Sequence, residues 1–223
     1  LYELTNRERR AAELEDELAQ ATARRDRAAA KVGAARRAAA PKLAAEVEGR
    51  LAALAMPQAT LQIEVGEEDP GDRVEFRLAA NPGIDPAPLQ RAASGGELSR
   101  VLLALRLVLS GGPDTMVFDE VDAGIGGATA LEVGRALAEV AEGSQVLVVT
   151  HLAQVAAHAD QQVRIAKSIG EEATTTTVEP VDGEARLAEL ARMLSGTPDS
   201  TATRSNAEEL LARASRPAVA ERH

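Results

Sequence analysis

The chain has 223 residues, a formal net charge of -10, no cysteine and only 1% aromatic residues. That length supports one sizeable core with room for an extension, and the missing cysteines exclude a disulfide framework and Cys-based zinc sites. The acidic balance makes the whole chain a poor partner for nucleic-acid phosphates, so any contact with DNA must use a local patch.

No apolar run approaches the roughly 20 residues of a membrane helix, and the N-terminus lacks the layout of a signal peptide, so a soluble, intracellular protein is expected. The sequence opens at Leu1 inside a helical pattern, as expected of a fragment or a processed piece. Leu4, Ala11, Leu14, Leu18, Ala21, Ala28, Val32, Ala35 and Ala39 fall on one heptad seam, interrupted by Arg7 and Arg25. A 3.5-residue repeat held over about five heptads predicts a coiled coil. Within it, "RRDRAAAKVGAARR" carries Arg24, Arg25, Arg27, Lys31, Arg36 and Arg37 against the single acid Asp26. This is the one candidate patch for DNA, although a solvated helix face is the plainer account of it.

Pro41 suits the first turn of a new helix, where its missing N–H costs nothing. Leu43, Val47, Leu51 and Leu54 would give that helix an apolar face, and Pro57 would end it. The period then changes. "TLQIEV" and "RVEFRLA" alternate around the turn-forming "GEEDPGD", which predicts a β-hairpin over 60–79, followed by a loop in "NPGIDPAP".

A helix is expected from about Gly96 to Leu109 with Ser94 near its N-cap. Beyond it come a buried strand "TMVFDE", a helix "GATALEVGRALAEVA", a buried strand "QVLVVTH" and a short helix "LAQVAAHA". Strands in "QQVRIAKS" and "ATTTTVEPV" and helices in "EARLAELARMLS" and "NAEELLARA" complete the order, before a frayed tail "SRPAVAERH". Alternating strands and helices predict an α/β fold with a parallel sheet core flanked by helices.

Three groups carry chemistry. Asp119 and Glu120 stand at the carboxyl end of a continuous apolar strand, where open α/β sheets bind ligands. Two adjacent acids can divide the work, one holding Mg²⁺ and the other orienting and deprotonating an attacking water. In "ASGGELSR" the Ser94-Gly95-Gly96 turn at a helix start offers N–H groups and the positive end of the macrodipole to an anion. His151 follows the second apolar strand, so it should emerge at the same sheet edge and could sense a γ-phosphate. His158 and His223 are read as structural. No glycine-rich loop ending in Gly-Lys-Ser or Gly-Lys-Thr accompanies these groups.

In this order, "SGGE", "MVFDE", "VDAGIGG" and "VLVVTH" resemble the signature motif, Walker B motif, D-loop and switch histidine of ABC-type ATPases. The heptad arm argues against a transporter ATPase and for the SMC branch. There "ASGGELSRVLLALRLVL", "FDEVDAGIGG", "THLAQVAAHAD" and "LARMLSG" look like the bacterial RecN family of DNA double-strand-break repair proteins, over about Gln58 to Leu211. The resemblance implies the C-terminal lobe of an ATPase head, residues 57–223, on the base of an antiparallel coiled-coil arm, residues 1–56. It implies ATP and Mg²⁺ as ligands, Asp119 as metal ligand, Glu120 as water-activating base and His151 as γ-phosphate switch. Ser94, Gly95, Gly96 and Glu97 would serve a nucleotide bound by the opposite head, and Asp122 and Gly124 would lie in a D-loop crossing the dimer interface. Gly126 departs from the pattern, standing where a more polar residue is expected.

The implied partners are an N-terminal lobe carrying Walker A, a second head and double-stranded DNA ends, in the cytoplasm on the nucleoid and not at a membrane. The chain alone would be inactive. The rivals are a head and coiled-coil interaction module without turnover, another SMC-type ATPase, and a transporter ATPase.

Overall fold

The computed structural model describes residues 2–109, 112–169, 174–195 and 201–215. Apart from Ser215, which caps the end of the last helix by donating to the Leu211 carbonyl, the expected frayed tail, with His223, and the side chain of Leu4 lie outside the described residues. The chain divides into two compact units, one of residues 1–46 and 60–92, the other of 47–59 and 93–223.

Helix α1, Tyr2–Ala53, contains Pro41 in its interior. The new helix expected at Pro41 therefore does not exist. An interior proline removes one hydrogen bond and crowds the preceding turn at a cost of about 3 kcal/mol. Here alanine, arginine, glutamate and leucine, all strong helix formers, run on both sides of it. Ala40, Ala44, Val47 and Leu51, at helical spacing around the proline, are all buried and hold that segment helical. The stop also precedes Pro57. Ala55 takes a left-handed φ of 63° and the Met56 N–H donates to the Leu51 carbonyl at 3.0 Å, a Schellman-type ending.

In the first unit, β1 (Thr60–Val65) and β2 (Val74–Ala79) form the expected antiparallel hairpin, with Thr60 opposite Ala79 and Val65 opposite Val74. The end of the expected loop instead forms a two-residue strand, β3 (Ala87–Pro88), against Arg77 and Leu78, followed by a single helical turn, α2 (Leu89–Ala92). Part of the basic run on α1 is committed here. Arg36 donates to Asp72 at 2.7 Å and to the Pro70 carbonyl at 3.0 Å, while Arg37 donates to Asp69 at 2.6 Å and the Gly66 carbonyl at 3.1 Å. Two of its six cations thus clasp the hairpin turn. The heptad seam is uncovered, with Leu14, Leu18 and Val32 exposed, because the described residues supply no second long helix to receive it.

The second unit holds α3 (Gly95–Val108), β4 (Thr115–Phe118), α4 (Gly127–Ala141), β5 (Gln145–Val148), α5 (Ala153–Ala156), β6 (Gln162–Ile169), β7 (Thr174–Val181), α6 (Gly183–Ser195) and α7 (Thr201–Ala214). β4 and β5 are parallel, pairing Thr115 with Gln145 through Phe118 with Val148, and β6 and β7 form an antiparallel ribbon. Aliphatic side chains carry the core, as the near absence of aromatics requires. Val101, Leu103, Ala104, Val121, Ala130, Val133 and Leu190 have no exposed surface. Ala153, Ala156, Leu187, Ala191, Ala207 and Leu210 join Leu190 in one cluster built from α5, α6 and α7.

The strands expected to be buried are covered on one side only. Phe118 is buried, but Val117, Leu147 and Val149 are exposed. A continuous apolar run is what a parallel strand needs when both faces are covered, and the described residues cover one.

Candidate functional site

The site is built where α3, β4 and β5 end or begin, entirely within the second unit. Ser94 is the N-cap of α3. Its hydroxyl accepts from the Glu97 N–H at 3.4 Å, and the Glu97 carboxylate accepts from the Ser94 N–H at 2.8 Å, closing a capping box. Ser-x-x-Glu ahead of an apolar helix is the local pattern that folds this way. Glu97 is thereby committed to shaping the turn.

That turn lies directly on the residues that follow β4. A Cβ placed on Gly96 would stand 2.9 Å from the Glu120 carbonyl oxygen and 2.8 Å from the Ala123 Cβ, so only glycine permits this approach. A Cβ on Gly95 would stand 2.5 Å from Glu120 Oε2, which puts the Glu120 carboxylate against the Ser-Gly-Gly turn. Ser99 Oγ donates to the Asp119 carbonyl at 2.7 Å. Arg100, 6% exposed, donates to the Ala123 carbonyl at 3.0 Å and to that of Val121 at 3.4 Å. Burial pulls the Arg100 guanidinium below the ordinary arginine range, with neighbouring Glu97 opposing that pull.

Glu120 has a φ of 55°, a left-handed conformation uncommon outside glycine, whereas Gly124 meets a φ of 73° without strain. Such a backbone persists only where neighbours impose it, and the contacts from α3 do so here. Asp119 and Glu120 are both exposed, while Val121 and Asp122 immediately after them are buried. Gly126 caps α4 without any side-chain bond, the structural counterpart of its departure from the expected polar residue.

The parallel ladder runs one step past the strands, the Val149 N–H donating to the Phe118 carbonyl at 3.0 Å, so the residues after β4 and β5 lie side by side. There Asp122, 2% exposed, is the hub. Its Oδ2 accepts a short hydrogen bond from the Thr150 hydroxyl and one of 3.0 Å from the His151 N–H, and lies 3.1 Å from His151 Nδ1. The His151 side chain is 73% exposed. The Thr150 hydroxyl in turn accepts from the Leu152 N–H at 3.1 Å, leading into α5. His158 stands apart from this cluster. Its Nδ1 lies 2.9 Å from the Gln154 carbonyl, a Cβ on Gly134 would crowd its ring, and burial pushes its imidazole below the ordinary histidine range.

Every candidate residue therefore sits in one connected loop cluster. Ser94, Gly95, Gly96, Glu97, Asp119 and Glu120 form one part, and Asp122 with His151 the other, joined through the Glu120–Gly124 turn. Arg100, Ser99 and Thr150 are additions. The serine and arginine one turn into α3, just ahead of its apolar run "VLLAL", and a threonine closing the apolar run "VLVV", are the signals they leave in the sequence.

Among the described residues no three His, Asp or Glu side chains converge as a ready-made metal cage. Mg²⁺ commonly takes only one or two protein carboxylates beside phosphate oxygens and waters. An exposed Asp119 carboxylate at a strand end fits that share.

No family model matches the chain. The DNA repair protein RecN of Streptomyces coelicolor is 44% identical over 216 residues, covering 85% of this chain and 38% of that protein. RecN of Deinococcus radiodurans is 48% identical over 168 residues, 75% of this chain and 28% of its own length. The chain thus spans about two fifths of the length of the former. Among solved structures, an Smc head domain with a coiled coil and joint from Pyrococcus yayanosii aligns with a TM-score of 0.50 at 22% identity, over 69% of this chain and 29% of that one, a likeness of fold. Across the stretch it shares with these relatives, the chain belongs to the RecN family.

Proposed function

We propose that this chain is the signature-bearing, C-terminal lobe of an SMC-like ATPase head that acts in DNA double-strand-break repair. Residues 1–56 form the base of an antiparallel coiled-coil arm and residues 57–223 the lobe, a division by role rather than by compactness. The observation that carries this reading is the packing of the Ser94–Gly96 turn against Glu120, with His151 tied to the same loop through Asp122.

ATP is bound between two heads. Each takes its Walker A loop from an N-terminal lobe of the same protein and its signature turn from the opposite head. In each turn, the N–H groups of Gly95 and Gly96 at the start of α3 and the Ser94 hydroxyl meet the terminal phosphate. Asp119 would hold Mg²⁺, which would supply positive charge to offset that of the phosphates. Glu120 takes a proton from the water that attacks the phosphorus, and His151 contacts the γ-phosphate oxygens. Binding closes the heads because the sandwich exists only in the closed form, and hydrolysis releases it. The closing motion passes through the arms to a hold on double-stranded DNA ends, in the cytoplasm on the nucleoid.

Turnover measured on the chain alone, and on the chain mixed with a separately produced Walker A lobe, tests the composite site. No activity alone with recovery on mixing is expected. Activity from the chain alone would show a phosphate-binding site other than this one, and inactivity of a folded, assembled pair would favour an interaction module without turnover. In the intact protein, Glu120→Gln is expected to slow turnover by about 10²–10⁴-fold while nucleotide still binds and closed dimers accumulate. A variant within a few-fold of wild type would remove Glu120 from the role of base.

A further inference from the structure

The Asp122 carboxylate is the most deeply buried acid of the site, yet it does not face the open edge where Asp119 and Glu120 lie. A buried carboxylate is costly unless its lone pairs are engaged. One oxygen, Oδ2, meets the Thr150 hydroxyl, the His151 N–H and the His151 ring at Nδ1, so a single residue after β4 fixes the backbone after β5 and one edge of the imidazole. Thr150 and His151 in turn supply the groups that engage this oxygen. The rest of the ring stays open, at 73% exposure of the side chain.

We propose that Asp122 acts within its own chain as the positioning residue of His151, holding the imidazole proton on Nδ1 and fastening the ends of β4 and β5 together. A histidine's tautomer is set by the bond its other nitrogen makes, and a carboxylate facing Nδ1 selects Nδ1–H. The neutral ring then presents an acceptor at Nε2, and donation from Nε2 to an anionic oxygen requires a ring protonated at both nitrogens. This defines what His151 can offer a phosphate, and in that consequence alone it rests on the function proposed above.

The chain has three histidines, so the ring nitrogens of His151 can be identified by nuclear magnetic resonance with His151→Gln as the reference. At alkaline pH, wild-type His151 is expected as the Nδ1–H tautomer. Asp122→Asn is expected to lose that preference, whereas Thr150→Val, which removes a different partner of the same oxygen, is expected to keep it. An Nε2–H ring in the wild type overturns the proposal even if Asp122→Asn does not fold. So does an unchanged Nδ1–H ring in a folded Asp122→Asn. These readings need no nucleotide and stand whether or not the ATPase assignment holds. In the intact protein, Asp122→Asn is expected to lower kcat by about 10–100-fold with a much smaller change in KM, the pattern of a mis-set ligand-contacting group. An unchanged kcat beside a lost tautomer preference would overturn the link to turnover while leaving the positioning of the ring intact.

Discussion

Leu18 on α1 and Leu190 on α6 occupy equally regular helical patterns, yet Leu18 is 68% exposed and Leu190 is 0% exposed. Periodicity records which face of a helix is made to be covered; it does not record whether the cover lies in the same chain. Around Leu190, α5, α6 and α7 close a cluster of alanine and leucine. Along α1, the seam through Leu14, Leu18 and Val32 has no counterpart among the described residues, just as the outer face of β4 and β5 leaves Val117, Leu147 and Val149 open. The site belongs with the first kind of region: the α3 turn and the Asp119–Ala123 loop meet at distances that leave no room for a Cβ at Gly96.

Truncation puts numbers on that contrast. Leu190→Ala is expected to lower the unfolding free energy by about 2–5 kcal/mol, because it removes transfer energy and leaves a cavity, and denaturant unfolding of the chain reads it directly. Gly96→Ala comes next, at about 1–3 kcal/mol, since backbone as well as side-chain atoms oppose the new methyl group. A Gly96→Ala chain as stable as wild type would mean that α3 is not pressed against the Glu120 carbonyl. Ser94→Ala opens the capping box and is expected to cost about 1 kcal/mol. Leu18→Ala should stay within about 0.5 kcal/mol in this chain. A larger loss for Leu18→Ala would show that the seam is already covered, by a second copy of the chain for example, which a dependence of stability on protein concentration would reveal.

Several features were legible before any fold was known, and each had a local cause. Ser94 and Glu97 announce their capping box by spacing, and the hairpin follows from alternation around a Gly- and Pro-containing turn. The placement of Asp119, Glu120 and His151 at one edge follows from two apolar strands that end in polar residues, given that β4 and β5 are parallel and adjacent. Pro41 was misleading because proline is an N-terminal signal only when the preceding segment is free to end. Here buried Ala40 and Ala44 on either side keep the helix going. Arg36 and Arg37 read as charge on a solvated face or a DNA patch, and only the fold shows them clasping the turn of a hairpin some 30 residues away in sequence.

By itself, then, the amino-acid order determined most of the elements, the capping box of α3, the likeness to the RecN family and the list of chemical groups, because these depend on neighbours within a few residues or on motif order. Tertiary structure alone decided that Arg100 is a buried brace and Ser99 a tether, that Glu120 is bent into a left-handed backbone, and that Asp122 turns inward to Thr150 and His151 instead of outward beside Asp119. Each of these depends on atoms 20 to 30 residues apart approaching within hydrogen-bond distance, and on which side chains lose water when they do. Neither quantity is written in the local period of a sequence.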